Sequence, residues 1–372
     1  MKSIPFVDLA AQQARIRGRI DARIRAVLDH GQYIMGPEVA ELEKQLAAFA
    51  GARHVISMAS GTDALLAALM AAGVGPGDAV FTPAFTFPAT AEVVVMTGAE
   101  PVFVDVEAAT ANLDPADLAR RIDTVKRAGR LRPRAVMPVD LYGLPADYEA
   151  IAKIAAAHNL MVIADAAQSF GGAVGARKVG ALAAQTCISF FPAKPLGGYG
   201  DGGAVLTDDD QLAATLRSIR EHGKGGEKYE IQRIGLNARL DTLQAAILLA
   251  KMEIFADEIQ ARDQVANWYE EILRGAVQTP PRPPGTTCAW AQYTIQVEKR
   301  ETVASALKAR GIPTAVYYPK PMHAQRPYAR YAEGPLLVSE RFAARVLSLP
   351  MHPYLGREEA TRIATAVREA VA

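Results

Sequence analysis

The chain is 372 residues long, half of them hydrophobic and 22% charged, with a formal net charge of +1. So small a net charge gives neither a basic field for nucleic acid nor an acidic tail, and it favours a small-molecule partner. No signal peptide and no membrane span are predicted, because the first residues lack an apolar core and no apolar run approaches roughly 18 residues.

Two helices are predicted at the start of the chain. Apolar residues at helical spacing predict one helix over 8–30 and a second over 38–49. The loop between them, HGQYIMGPEV, places Tyr33 between two glycines. An aromatic in such a loop suits the lip of a substrate site, although a plain helix connection has the same spacing.

From residue 54 onward, short apolar runs alternate with helical patterns. Seven runs are mostly continuous in apolar residues: HVISMAS, AVFTPAF, PVFVDV, RAVMPVDLYG, LMVIADAAQ, TCISFF and GAVLT. Strands buried on both faces have this composition, so we expect an α/β fold with a mostly parallel seven-stranded sheet. Ligands bind beyond the carboxyl ends of such strands, and polar residues there are candidates for a site.

Three strand ends carry candidates. Gly61 and Thr62 precede a helix whose N–H groups and dipole suit a phosphate, although simple helix capping explains the same residues. Phe87 follows the second strand and could stack on a flat ring or pack in the core. Asp165 ends a very apolar strand, where a carboxylate should have a cationic partner, and Gln168 points into the same region.

The stretch SFFPAKPLGGYGDGG, residues 189–203, holds the candidate nucleophile. It places Lys194 among apolar residues, ahead of a run of glycines. Apolar surroundings disfavour an ammonium, so the pKa of Lys194 should fall and its free amine become available to a carbonyl. A lysine on a surface loop is the commoner arrangement, and Lys194 therefore gains meaning only from its partners.

The pattern of the C-terminal third of the chain predicts a smaller α/β unit. A long helix over 240–273 changes from apolar to polar, as expected of a connection between domains. The stretches AQYTIQV and GIPTAVYYP are predicted strands, and 341–347 and 357–371 are predicted helices. The two cysteines, Cys187 and Cys288, form no metal or redox motif, no metal site is predicted, and a reducing cytoplasm fits their use.

A phosphate cradle, an aromatic, an acid and an amine in this order describe one ligand, pyridoxal 5′-phosphate (PLP). Lys194 would form a Schiff base with it, Asp165 would keep the ring nitrogen protonated, and Phe87 would stack on the ring. Each signal is weak by itself, but the ordered set is specific.

The motifs SGTDAL, VFVDV, IADAAQSFGG, SFFPAKPLGGYGDGGA and NARLDTLQAAIL resemble, in order along nearly the whole chain, the DegT/DnrJ/EryC1 (StrS) family of nucleotide-sugar aminotransferases. The HGQYI, GPEV and SLPMHPYL stretches resemble its UDP-2-acetamido-2-deoxy-3-oxo-glucuronate aminotransferases of surface-polysaccharide and O-antigen synthesis. The resemblance implies a fold-type I, aspartate-aminotransferase-like architecture, with a large PLP-binding domain over 1–248 and a small C-terminal α/β domain over 249–372.

The same resemblance implies roles for single residues of the cofactor site. It makes Lys194 the Schiff-base lysine and proton shuttle, and it places Gln168 beside the ring hydroxyl. Gly61, Thr62 and Ser189 are implied to bind the phosphate.

Asn237 corresponds to a residue that reaches the cofactor phosphate of the neighbouring subunit, which implies a homodimer with shared active sites. Arg239 corresponds to a residue near the sugar, where its guanidinium could take a substrate carboxylate; an ion pair with Asp241 is the alternative. L-glutamate is the implied amino donor.

The substrate contacts depart from the family pattern. Relatives often have HYP where this chain has Tyr317 and Tyr318 followed by proline, and often Tyr or Trp where it has Phe87. These two tyrosines and His323, in the loop over 317–328, are the remaining predicted substrate contacts.

Other functions stay open at this stage. C4 amination of a dTDP-, UDP- or GDP-linked 4-keto-deoxysugar would need the same residues, and a PLP-binding regulator is the non-enzyme alternative. Dehydratases of this fold have histidine at the position of Lys194, so the lysine argues against a dehydratase. A nicotinamide domain is disfavoured because no G-x-G-x-x-G follows the first strand.

Overall fold

A computed structural model describes residues 4–227 and 229–372 of the chain. It contains twelve strands: β1 (His54–Met58), β2 (Asp78–Pro83), β3 (Glu100–Val104), β4 (Arg132–Val136), β5 (Met161–Asp165), β6 (Ala173–Val174), β7 (Arg177–Lys178), β8 (Gln185–Ser189), β9 (Gly203–Thr207), β10 (Thr286–Thr287), β11 (Tyr293–Gln296) and β12 (Val346–Leu349).

The α-helices connect these strands or flank them. They are α1 (Leu9–His30), α2 (Pro37–Ala50), α3 (Gly61–Ala71), α4 (Pro88–Met96), α5 (Pro115–Ala128), α6 (Tyr148–Ala157), α7 (Asp210–Arg220), α8 (Thr242–Leu273), α9 (Arg300–Ala309), α10 (Leu337–Arg345) and α11 (Arg357–Val371). Short 3₁₀ turns cover 141–143, 322–324 and 326–331. None of the described helices is both long and apolar enough to cross a bilayer.

Seven strands form the central sheet in the order β1, β9, β8, β5, β4, β2, β3. Strand β9 is antiparallel to both neighbours, and the other pairs are parallel. Every residue of β2 is buried, and successive residues face opposite sides: Val80 packs with α3 and α4, whereas Phe81 packs with α5 and α6. The predicted α/β fold with a mostly parallel seven-stranded sheet is confirmed.

Helix α8 joins two hydrophobic cores. Leu248 and Phe255 pack with the large sheet and α2, whereas Tyr269 and Leu273 pack with the two-stranded sheet of β11 and β12. The predicted boundary between residues 248 and 249 falls inside this continuous helix. That boundary stays a prediction.

Two predictions for the C-terminal part are wrong. The stretch GIPTAVYYP forms no strand; Ala315 makes a single bridge to Ser348, because the prolines flanking it cannot donate to a ladder. The helix predicted over 341–347 instead begins at Leu337 and ends at Arg345. The apolar run Val346–Leu349 leaves the helix and pairs with β11 as a fully buried strand.

Candidate active site

Asp165 lies at the carboxyl end of β5, in the middle of the sheet, and is 5% exposed. Its carboxylate accepts from Thr90 Oγ1 at 2.8 Å and from the Ala167 N–H at 3.3 Å. Burial raises the pKa of Asp165, and the hydrogen bond from Thr90 opposes this rise. The expected cation does not pair with it directly: within the described residues Asp165 makes no ion pair, although the charge of Lys194 also lowers its pKa.

Lys194 lies in the turn after β8, half-buried, with its N–H donating to the Phe191 carbonyl at 2.8 Å. Burial lowers the pKa of Lys194, and the Asp165 carboxylate opposes this effect. The predicted amine and acid are therefore close enough to interact electrostatically, and burial increases the share of the neutral amine, the form that attacks carbonyl groups.

The glycines after Lys194 let this turn pack against the start of α3. A Cβ on Gly203 would lie 2.5 Å from the Ser60 carbonyl oxygen, closer than real contacts allow. The Phe190 N–H donates to the Gly202 carbonyl, and the Gly198 N–H donates to the Phe190 carbonyl. The glycine run thus has a local structural cause, which is the close approach of two backbones.

The start of α3 and the end of β8 form a narrow cradle. A Cβ on Gly61 would lie 2.7 Å from the Ser189 Cβ, so only glycine fits there. Ser60 Oγ accepts from the Asp63 N–H at 3.0 Å. This bond is the helix capping that the sequence offered as the alternative to phosphate binding. This bond satisfies Asp63 and leaves the N–H groups of Gly61 and Thr62, at the positive end of the helix dipole, for an anion.

Gln168 is buried beside Asp165 and has a fixed orientation. Its Oε1 accepts from the Tyr142 N–H at 2.7 Å, which identifies the oxygen because an N–H can only donate. Its Nε2 donates to the Tyr318 hydroxyl at 3.3 Å. One Nε2 hydrogen remains for a ligand.

Phe87 does not pack in the core. Its side chain is 54% exposed, and its ring lies 6.1 Å from the Tyr318 ring at an interplanar angle of 48°. Phe87 directly precedes α4, whose Thr90 binds Asp165, and its exposed ring is free to stack on a flat ligand. Core packing, the commoner use of phenylalanine, is excluded here.

Tyr33, Asn237 and Arg239 come together at a second, more exposed place. The Thr242 N–H donates to the Tyr33 carbonyl at 2.9 Å, which joins the Tyr33 loop to the start of α8. Arg239 Nε and Nη2 donate to Asn237 Oδ1 at 3.1 and 2.6 Å. The predicted alternative, an ion pair with Asp241, is wrong: the guanidinium binds the neighbouring amide oxygen instead.

The structure places His323 apart from these groups. Its ring is 7% exposed, and Nε2 lies 3.1 Å from Glu340 Oε1. Tyr317 lies closer, since its carbonyl accepts from the Tyr142 hydroxyl and its ring contacts that of Tyr318. His323 Nδ1 has no hydrogen-bond partner in the described chain, so a substrate contact through this nitrogen could keep the bond between Nε2 and Glu340.

Three residues at the site were missed in the sequence. Thr90 holds Asp165, and Tyr142 orients both Gln168 and Tyr317. Asp140 accepts from Ser169 Oγ at 2.6 Å, and burial raises its pKa to about 6. The sequence did contain a signal for Asp140 and Tyr142. Both belong to the stretch VDLYG, which follows β4 at the same edge of the sheet as Asp165.

A model of the DegT/DnrJ/EryC1/StrS aminotransferase family matches residues 14–368. The chain is 50% identical to UDP-2-acetamido-2-deoxy-3-oxo-D-glucuronate aminotransferase of Pseudomonas aeruginosa, over 95% of this chain and 96% of that protein. It is 44% identical to UDP-N-acetyl-3-dehydro-alpha-D-glucosamine 3-aminotransferase of Acidithiobacillus ferrooxidans, over 98% and 97% of the two chains.

Solved structures show the same likeness. A DegT DnrJ EryC1 StrS aminotransferase from Brucella abortus superposes with a TM-score of 0.97 at 50% identity, covering 98% of this chain and 99% of that one. NtdA from Bacillus subtilis, solved with the bound cofactor PMP, superposes with a TM-score of 0.91 at 30% identity, covering 100% and 86%.

Proposed function

Because this chain belongs to the DegT/DnrJ/EryC1/StrS aminotransferase family and is PLP-dependent, we propose that it moves an amino group from L-glutamate to C3 of UDP-2-acetamido-2-deoxy-3-oxo-glucuronate. The observation that carries this proposal is the 50% identity to the Pseudomonas aeruginosa enzyme of that name over 95% of the chain. The product would be an amino sugar for surface polysaccharide, such as O-antigen or lipopolysaccharide.

The residues present suit PLP. The cradle of Gly61 and Ser189 has no room for a Cβ and offers N–H groups to a phosphate. The carboxylate of Asp165 is buried without an ion pair among the described residues, as expected for a partner of a protonated ring nitrogen. Lys194 supplies an amine whose pKa burial lowers.

When bound, the cofactor carries the amino group between the two substrates and takes up electrons during proton transfer. We assign Lys194 to hold it covalently and, in turnover, to move a proton at Nζ from the Cα of the donor and later to C3 of the sugar. Asp165 would hold the proton of the ring nitrogen, Gln168 would orient the ring through its free Nε2 hydrogen, and Phe87 would cover one face.

The more exposed group would contact the sugar. The guanidinium of Arg239 could take the C6 carboxylate of a uronate in two parallel hydrogen bonds. Asn237 Oδ1 now holds the same guanidinium, and the substrate would replace it. Tyr33, Tyr317, Tyr318 and His323 complete the proposed set of substrate contacts.

A homodimer with shared sites is part of the proposal. Several large apolar side chains are exposed on the described chain, among them Tyr33, Ile34, Phe191, Ile231 and Ile234. An apolar surface of this kind suits an interface between copies. In the dimer Asn237 would reach the phosphate of the neighbouring site, and a cytoplasmic location is proposed with it.

A two-stage assay tests the reaction. Mixing the PLP-loaded protein with L-glutamate should change its visible absorbance, and adding UDP-2-acetamido-2-deoxy-3-oxo-glucuronate should restore it, with an amino group on C3 of the product by NMR. The matched comparison is the 3-keto sugar without a C6 carboxylate, which should react less efficiently. Restoration only by a 4-keto sugar would replace this proposal with C4 amination.

A further inference from the structure

A small cavity is lined by Lys194 and by residues of the N-terminal segment. It leaves about 10 Å³ for the centre of a water molecule. This is room for a water and far too little for a sugar or an amino acid. The lining residues come from the start of α1, the turn after β8, helix α8 and the segment after β12: Val7, Asp8, Leu9, Gln12, Pro192, Lys194, Arg262, His352, Pro353 and Tyr354.

Three polar atoms of this lining are buried without a hydrogen-bond partner in the described chain: Gln12 Oε1, Arg262 Nε and one ring nitrogen of His352, whose other nitrogen interacts with the Pro5 carbonyl. The three side chains are only 8%, 4% and 2% exposed. Buried polar atoms in native structures nearly always have a hydrogen-bond partner, so three unpartnered atoms around one cavity indicate a partner from outside the chain.

The neighbouring contacts fix what each atom can do. Gln12 Nε2 donates to both oxygens of Glu258, at 3.1 and 2.8 Å, which leaves Gln12 Oε1 as an acceptor. Arg262 Nη1 donates to the Trp290 and Met351 carbonyls, and Arg262 Nε is a donor only. A neutral His352 ring offers one donor and one acceptor.

The charges around the cavity favour a neutral occupant. An anion would meet the carboxylate of Asp8, while a cation would meet the guanidinium of Arg262 and the amine of Lys194. Glu258, which accepts from Gln12 and from the Tyr354 hydroxyl, already offsets the charge of Arg262. Water has two hydrogens and two lone pairs, and it is the small molecule that matches donors and acceptors together.

We propose that this cavity binds one water molecule, which donates to Gln12 Oε1, accepts from Arg262 Nε and bonds to the His352 ring, and that His352 is thereby a positioning residue for Lys194. The water would join three parts of the chain that lie far apart in sequence. It would also tie the N-terminal segment, whose Phe6 carbonyl accepts from the Met351 N–H, to the wall of the active site.

A crystal structure of the PLP-loaded enzyme, at a resolution that places ordered water, tests the site itself. We expect a single peak within hydrogen-bonding distance of Gln12 Oε1, Arg262 Nε and a His352 ring nitrogen. An empty cavity, a direct bond between these side chains in its place, or a heavier ion would overturn the proposal.

Substitutions test the link to Lys194. His352→Phe keeps a ring and removes both nitrogens, and Gln12→Met removes the acceptor should the first variant fold poorly. Either should lose the water and shift the pH midpoint of the visible cofactor band by about half a unit, because Lys194 lines the same cavity and the loss of the water changes the polarity beside it.

Tyr354→Phe is the matched control, since it removes a hydroxyl from Glu258 in the same wall and leaves the three partners of the water in place. The water and the midpoint should both remain. A midpoint unchanged in His352→Phe and Gln12→Met would overturn the positioning role. Only the role of Lys194 is taken from the proposed function, and borohydride trapping at Lys194 tests that role independently of the water.

Discussion

The buried group of Thr90, Asp165, Gln168 and Lys194, here called the floor, differs from the more exposed residues Tyr33, Phe87, Asn237 and Arg239, here called the rim. Thr90, Asp165 and Gln168 are at most 5% exposed, and hydrogen bonds within the chain hold each of them. Tyr33 and Phe87 are about half exposed, and the Arg239 guanidinium donates to Asn237 Oδ1. The floor is therefore held in place within one chain, whereas the rim is more exposed.

Lys194→Ala should give the largest effect on the floor. Turnover of glutamate and keto-sugar should fall by at least about 10³-fold, because both the nucleophile and the proton carrier are lost. Steady-state kinetics measure this, and Lys178→Ala is the control, since Lys178 lies over the Phe49 ring. Activity above roughly a tenth of wild type in Lys194→Ala would contradict the assignment.

Asp165→Asn should give the second largest effect, with kcat reduced by about 10²-fold or more. Asparagine has the same shape and can still accept from Thr90, but it has no charge to hold a protonated ring nitrogen. Single-turnover rates with glutamate measure the loss, and circular dichroism checks that the fold is kept. A near-normal rate would mean that the buried carboxylate has only a structural role.

Gly61→Ala tests the cradle between α3 and β8. The added Cβ would collide with Ser189, so cofactor affinity should fall roughly 10- to 100-fold, as expected for overpacking by 1–3 kcal/mol. Gly18→Ala in α1 is a matched control, because nothing lies within 4 Å of its Cβ. The control should bind PLP normally and gain up to about 1 kcal/mol of stability. Equal PLP affinities in both variants would contradict the assignment of this cradle to the PLP phosphate.

Arg239→Lys tests the rim and should act more weakly. A lysine keeps the charge but loses the two parallel hydrogen bonds, so KM for the uronate sugar should rise about tenfold with little change in kcat. KM for the sugar without a C6 carboxylate should stay the same. A similar rise in KM for both sugars would show that Arg239 does not bind the C6 carboxylate.

Lys251 should give the smallest effect, on the stability of the floor. It is 1% exposed, its Nζ donates to the Gly197 carbonyl at 2.6 Å beneath the turn of Lys194, and burial lowers its pKa to about 8. Between pH 8 and the unfolded value of 10.5, the unfolded chain binds the extra proton, so the free energy of unfolding rises with pH. From pH 7.5 to 9.5 this contributes roughly 1–2 kcal/mol.

Denaturant unfolding at these two pH values measures the effect. The variant Lys251→Met lacks the titrating amine, so it should lose this rise relative to wild type. Parallel pH dependence in the two proteins would place the pKa of Lys251 near its ordinary value.

The sequence predicts features of this molecule that depend on neighbouring residues better than contacts between residues far apart in the chain. The sheet follows from continuous apolar runs, and Asp165 and Lys194 stand out because each ends or follows such a run. The partner of Asp165 is the hydroxyl of Thr90, on a helix distant in sequence, and no local pattern distinguishes it from a cation. The failed strand at GIPTAVYYP has a local cause, since its prolines outweigh its apolar residues.

Borohydride trapping tests the central claim most directly. The PLP-loaded protein is reduced, digested and analysed by mass spectrometry for the peptide that carries the cofactor. The account predicts one modified peptide, with the cofactor attached at Lys194, and none in Lys194→Ala. A cofactor bound at another lysine, or a colourless protein that traps nothing, would contradict it.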